Sequence, residues 1–154
     1  MSRTPLERAQ ALCARAEHSV AEIRRKLAGW GATSSETEKI IAELKEQRYL
    51  NDERFARAYV RDKLRFSGWG RRKILVMLYS KGIDRPTSTA ALEDIDTHEY
   101  EQILRRVLRV KQRQLGPEES MSYEGRVKMF RYAVGRGFES ELIARILKNI
   151  KGNG

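Results

Sequence analysis

Three glycines constrain this chain more than any other feature. Gly31, Gly82 and Gly137 fall 51 and 55 residues apart, and one apolar register surrounds each of them. Eight residues before each glycine stand Ile23, Ile74 and Met129, and four before stand Leu27, Leu78 and Ala133. Ten after come Ile41, Leu92 and Leu147, and thirteen after come Leu44, Ile95 and Ile150. Apolar residues three, four or seven apart lie on one helical face, and glycine is the usual residue just past a helix end. The same unit of helices on either side of a glycine turn is therefore used three times. The expected fold class is all-α: three tandem three-helix repeats, helix-turn-helix-like, over 1–48, 49–96 and 97–151. Each repeat is too small to bury a large core alone and should lean on its neighbours. An elongated, curved row is the expected arrangement.

Local signals place nine helices. The first covers 5–16, with Leu6, Ala9, Leu12, Cys13 and Ala16 inward. Ser19 with Glu22 and Ser35 with Glu38 read as capping boxes opening the second and third. Their inward residues are Ile23 and Leu27, then Ile40, Ile41 and Leu44. The sixth covers 87–95, after a turn forced by Asp84-Arg85-Pro86. Asp96 to Glu99 cap the seventh, which buries Tyr100, Ile103, Leu104, Val107 and Leu108 and stops at Leu115-Gly116-Pro117. The eighth covers 122–136, with Val127, Phe130, Ala133 and Val134 inward. The ninth covers 140–151, with Leu142, Ile143, Ile146, Leu147 and Ile150 inward, and the last three residues should fray.

Helices four and five lie in the most informative stretch, YLNDERFARAYVRDKLRFSGWGRRKILVMLYSKG, residues 49–82. Asn51 and Asp52 suit an N-cap. Phe55, Ala56, Tyr59, Val60 and Leu64 form an apolar stripe among cations. Ser67-Gly68-Trp69-Gly70 breaks the helix, and Ile74, Leu75 and Leu78 line the next. Arg71, Arg72 and Lys73 sit at a helix start, where the dipole favours anions. Their presence there points either to solubility or to an anionic partner, phosphate or an acidic protein face.

Charge distribution favours the partner. Residues 51–83 hold nine Lys/Arg against three Asp/Glu, whereas residues 84–100 hold one against five. Of a net +10, residues 51–83 therefore carry +6, and that concentration is the footprint of a binding surface. The lone Cys13 excludes an intrachain disulfide and a cysteine zinc cluster. His18 and His98 lie far apart, each at a helix start, and read as capping or surface residues. With no Gly-rich phosphate loop and no paired nucleophile and base, an enzyme is not expected, nor a cofactor or metal. No apolar run reaches the roughly 20 residues of a membrane span, and the first ten residues lack the apolar core of a secretion signal. A cytoplasmic protein is expected.

The chain resembles the RecX family, regulators of the bacterial RecA recombinase. The resemblance rests on Ala14 to Ser19, Glu22 to Leu27 and the spacing to Gly31. It is most specific at Tyr49 to Ala56 and Ala58 to Val60, then Gly70 to Ile74 and Lys81 to Ile83. Lys128, Phe130 and Arg136 to Phe138 match more loosely. A family turn of aromatic, Gly and Pro is replaced here by Ser67-Gly68-Trp69-Gly70, and the second repeat's third helix is polar and Pro-interrupted. The resemblance implies three three-helix repeats and a protein of DNA repair and the SOS response. It implies binding to RecA and its filament on single-stranded DNA, with its ATPase, strand-exchange and co-protease activities mainly inhibited. Contact with single- or double-stranded DNA and a monomeric state are expected.

The candidate partner- and DNA-binding residues are Arg24, Arg25 and Lys26, then Arg57, Arg61, Lys63, Arg65, Arg71, Arg72 and Lys73, then Arg105, Arg106 and Arg109. Trp30 and Trp69 precede glycines, where an indole can stack on a base or pack between repeats. A helix-turn-helix transcription regulator is the alternative, since a pI near 10.0 also suits DNA. Three dissimilar recognition helices lack the two-fold logic of a repressor dimer.

Overall fold

The three glycines do the same work three times over. In the computed structural model, which describes residues 3–150, Gly31, Gly82 and Gly137 have φ of 89°, 77° and 99°. At each, the glycine N–H donates three residues back, to the carbonyl of Ala28, Tyr79 or Val134. The next N–H donates five back, to Leu27, Leu78 or Ala133. This bond pair satisfies the orphan carbonyls at a helix end and needs the left-handed backbone that glycine tolerates.

The helices are α1 (Pro5–Arg15), α2 (Val20–Gly29), α3 (Ser34–Glu46), α4 (Asp52–Asp62), α5 (Arg71–Ser80), α6 (Arg85–Glu93), α7 (Thr97–Leu115), α8 (Pro117–Met121), α9 (Tyr123–Gly135) and α10 (Ser140–Asn149). A π-helical turn, Lys63–Ser67, extends α4. Among the described residues there is no strand. The fold is all-α, three tandem three-helix repeats: α1–α3, α4–α6, and α7 with α9 and α10. Of the register around the glycines, Ile23, Ile74, Met129, Leu27, Leu78, Ala133, Ile41, Leu44, Leu92 and Leu147 are buried, whereas Ile95 and Ile150 lie past the ends of α6 and α10 and are half-buried.

Several local expectations change. α3 is capped by Thr33 with Glu36, not Ser35 with Glu38. The turn at Gly31 sets this start, because the N-cap falls two residues after the glycine, as Asp84 and Glu139 do after theirs. α6 begins at Arg85, two residues early, since Pro86 is acceptable in a first turn whose cap is Asp84. α8 was not expected: Gly116 ends α7, and Pro117 with Glu118 and Glu119 opens a short new helix. In α9 Met129 is buried alongside Ala133, Val127 and Phe130 are half-buried, and Val134 is exposed. Ala16 is an exposed C-cap, not part of the α1 stripe. His98 lies inside the first turn of α7, whereas His18 precedes α2 with Nδ1 3.6 Å from Glu22. Lys151 and the tail lie outside the described residues.

Residue contacts gather the chain into two compact units. The first takes Met1–Tyr59 and Met77–Ala91. Its core includes Ala9, Val20, Ile23, Leu27, Ile41, Leu44 and Leu50, flanked by Leu6, Leu12, Cys13 and Trp30. Trp30 thus packs on the first repeat's own core instead of between repeats. The Gly82 turn docks on the start of α2, where the Ser19 hydroxyl donates to the Lys81 carbonyl at 2.7 Å. A Cβ on Gly82 would meet Ala21 Cβ at 2.4 Å.

The second unit takes Val60–Val76 and Leu92–Gly154. Here the Gly137 turn docks on the start of α5. Gly70 N–H donates to the Arg136 carbonyl at 2.8 Å, and Arg72 N–H to that of Gly137 at 3.0 Å. A Cβ on Gly137 would meet Lys73 Cβ at 2.4 Å. One docking rule, helix start against glycine turn, therefore recurs in both units. Tyr100, Leu104, Leu108, Met129, Phe138 and Ile143 fill the second core.

Candidate partner-binding surface

The predicted cations divide by what holds them. In the first unit, Arg24 on α2 makes a two-pronged pair with Glu38 at 3.0 and 3.1 Å. Arg25 and Lys26, on the same helix, are exposed. They border a groove with Glu22, Met77, Ser80 and Lys81. Arg57 projects from α4, exposed. Phe55 and Tyr59 stack on the apolar stripe of the same helix, ring centres 5.8 Å apart.

In the second unit, Arg65 leaves the π turn and pairs with Glu99 at 2.6 Å. That hydrogen bond holds the Glu99 carboxyl below its ordinary range and raises the Arg65 guanidinium. Arg106 donates to the Arg65 carbonyl at 3.1 Å, and Arg136 to those of Ser67 and Gly68. Two guanidiniums thus face the negative end of the π turn, where the dipole favours them. Lys63 and Lys73 lie 4.9 and 4.6 Å from the centre of the Trp69 ring. The two ammonium groups therefore share one indole, and cation–π attraction offsets their repulsion.

Arg71 has its anion inside the protein. Its guanidinium pairs with Glu139 at 2.8 Å and lies 3.8 Å over the Tyr100 ring. Its backbone N–H donates to the Tyr100 hydroxyl at 3.0 Å, and that hydroxyl donates to Glu139. Burial first, then the Glu139 contact, pushes the Tyr100 hydroxyl well above the ordinary tyrosine range. Glu139 stands at the N-cap of α10 yet gives it no side-chain cap. Its carboxylate is spent on Arg71 and Tyr100, so it brings an anion from a distant segment to the start of α5, whose own first turn has no acid.

The cluster 71–73 therefore has three different roles: Arg71 is tied down, Lys73 rests on Trp69, and Arg72 is exposed. Arg105 is half-buried on α7, and Arg109 and Arg61 are exposed. Among the described residues, Lys26, Arg57, Arg61, Arg72 and Arg109 have no ion-pair partner. Periodicity overlooked the exposed apolar residues in this region. Phe66 is 85% exposed, Val76 65% and Tyr79 61%. For Phe66 the signal was an aromatic off the apolar stripe, directly after Arg65 in Lys63-Leu64-Arg65-Phe66.

Among the described residues, no group of three or more His, Cys, Asp or Glu is placed to hold a metal ion. Among the same residues, no helix is long and apolar enough to cross a membrane.

A sequence profile of the RecX second three-helix domain matches residues 51–92. "Regulatory protein RecX" of Serratia proteamaculans is 32% identical, over 94% of this chain and 96% of its own. "Regulatory protein RecX" of Pectobacterium atrosepticum is 34% identical, over 94% and 96%. The crystal structure of RecX from Lactobacillus salivarius superposes with a TM-score of 0.85 at 20% identity, covering 94% of this chain and 93% of that one. With identity of about a third sustained over nearly the full length of both chains, the chain belongs to the RecX family of regulatory proteins.

Proposed function

We infer that this protein acts on the RecA recombinase. It binds RecA and its filament on single-stranded DNA and mainly inhibits ATP hydrolysis, strand exchange and co-protease activity. The observation that carries this reading is the near full-length match to proteins named as RecX regulators. The cations without an ion-pair partner, Lys26, Arg57, Arg61, Arg72 and Arg109, supply the contact with an acidic protein face and neighbouring phosphates. Arg24, Arg65 and Arg71 contribute less, because each already faces a carboxylate. The same proposal takes 1–48, 49–96 and 97–151 as the repeat boundaries, and the protein as a cytoplasmic monomer in DNA repair and the SOS response, without catalytic activity of its own.

The test is RecA's ATPase on single-stranded DNA with this protein titrated in. Inhibition well below one molecule per recombinase subunit is expected. No inhibition at any ratio by folded protein overturns the reading. The combined Arg57→Ala, Arg72→Ala and Arg109→Ala variant should shift the half-inhibitory concentration upward about tenfold. Arg71 is left intact, since its loss would disturb Glu139 and Tyr100 as well. A helix-turn-helix transcription regulator would instead prefer one duplex sequence by several kcal/mol.

A further inference from the structure

The first unit has a second cationic groove, made of residues that the basic centre does not use. It holds about 410 Å³ and is lined by Arg3, Arg8, Ala11, Leu12, Arg15 and Trp30. Positions 8, 11, 12 and 15 follow the i, i+3, i+4, i+7 pattern, so one face of α1 forms its wall. Trp30, the C-cap residue of α2, forms the other side. The Arg8 guanidinium lies 4.1 Å from the centre of the Trp30 ring. Arg8 and Arg15 have no ion-pair partner among the described residues. Glu7, the acid that Arg3 feels, is committed to the Thr4 capping box.

We propose that this groove binds single-stranded nucleic acid, with backbone phosphates on Arg3, Arg8 and Arg15 and a base stacked at the Arg8–Trp30 pair. Seven residues of helix separate Arg8 from Arg15, about 10 Å along the axis, so the two guanidiniums meet different phosphates of one strand. Guanidinium forks match phosphate oxygens two at a time. A guanidinium plane lying on an indole is a stacking surface that accepts any base. An acidic protein partner fits less well, because it would need an apolar pocket for an anchoring side chain. Between these arginines lie only Ala11 and the partly buried Leu12. The site is separate from the cations assigned to recombinase contact, and the proposal does not rest on that assignment.

The experiment is fluorescence anisotropy of a labelled oligothymidylate with the full chain, at several salt concentrations and without recombinase. Arg8→Ala with Arg15→Ala should weaken binding at least tenfold. It should also flatten the salt dependence by about 1.4 in log K against log salt, the amount for two phosphate contacts on a single strand. Lys128→Ala with Arg145→Ala, surface cations that already face Glu119 and Glu101, serves as the charge-matched comparison and should change affinity less. A second readout is quenching of Trp30 emission by the oligonucleotide in a Trp69→Phe background. Unchanged affinity and slope in the α1 variant, with circular dichroism unaltered, overturns the proposal. So does equal competition by polyglutamate at matched charge, which would make the groove an acceptor of acidic protein. Should the double variant fail to fold, Arg3→Ala, whose residue precedes the helix, carries the same comparison.

Discussion

Asp52 opens α4, but its carboxylate caps α2. Its Oδ1 accepts a hydrogen bond from the Val20 N–H at 2.9 Å, across 32 residues of sequence. α4 takes its own cap from Asn51, whose Oδ1 accepts from Arg54 N–H at 3.0 Å. The Ser19 hydroxyl accepts from the Glu22 N–H of α2 and donates to the Lys81 carbonyl. Two adjacent residues with nearly the same side-chain chemistry therefore serve different helices.

Asp52→Ala leaves the buried Val20 end of α2 without its anion. A hydrogen bond to a charged group is worth about 1.5–3 kcal/mol, so the urea midpoint should fall clearly. Asn51→Ala removes an ordinary cap and should cost about 1 kcal/mol. Equal losses for the two variants would deny Asp52 its long-range role.

The three glycines should not tolerate alanine equally. All three lie at positive φ, which costs an L-residue about 1–2 kcal/mol. A Cβ on Gly31 meets nothing within 4 Å, so Gly31→Ala should cost little beyond that. Gly82→Ala adds a collision with Ala21 Cβ, and Gly137→Ala collides with both Cβ and backbone N of Lys73, at 2.4 and 2.6 Å. Thermal midpoints should therefore fall in the order Gly31, Gly82, Gly137, with Gly137→Ala the least stable. A Gly31 variant as damaged as the Gly137 variant would refute the docking account.

Tyr100 predicts an alkaline weakness. Its hydroxyl titrates above the ordinary value near 10 because of burial and Glu139. The folded state therefore holds the proton more tightly than the unfolded chain. Its contribution is fully present below about pH 10 and is lost as pH rises beyond it. Tyr100→Phe should cost about 1–3 kcal/mol at pH 7, because the Arg71 N–H and Glu139 lose a buried partner. It should also flatten the fall in the urea midpoint above pH 10. An unchanged alkaline slope would assign that slope to other groups.

The acid side has the opposite sign. Glu99 is held low by Arg65, Glu36 by its capping-box bond to Thr33, and Asp84 by Thr87. Their contribution is present above the ordinary carboxylate range, about pH 4, and is lost as pH falls through the lowered values. Stability should drop below about pH 4, and Glu99→Gln should make the drop shallower. These carboxylates lie at the surface, so 1 M salt should shrink the difference.

Much of this was legible in the residues. The glycine register placed second and third helices in every repeat, because a left-handed turn and a 3.6-residue stripe are both local. Ser19-x-x-Glu22 and Asp96 marked true helix starts for the same reason. TSSETE held two overlapping capping boxes, and only the turn at Gly31 selected Thr33. Of the thirteen candidate cations, charge count alone could not separate Arg71 from Arg72. Arg71's anion, Glu139, lies 68 residues away.

The sequence by itself determined the helical class, the threefold repeat and the basic centre, since each depends on composition or short spacing, and its motifs carried the resemblance to the family. Only the tertiary structure decided which partner each polar side chain takes. It moved Asp52 to the end of α2, drew Glu139 away from α10 onto Arg71 and Tyr100, and set Trp30 beside Arg8. Helix starts and arginines have several donors apiece and accept any nearby carboxylate. Which carboxylate arrives is settled by how distant segments pack, and no local spacing records it.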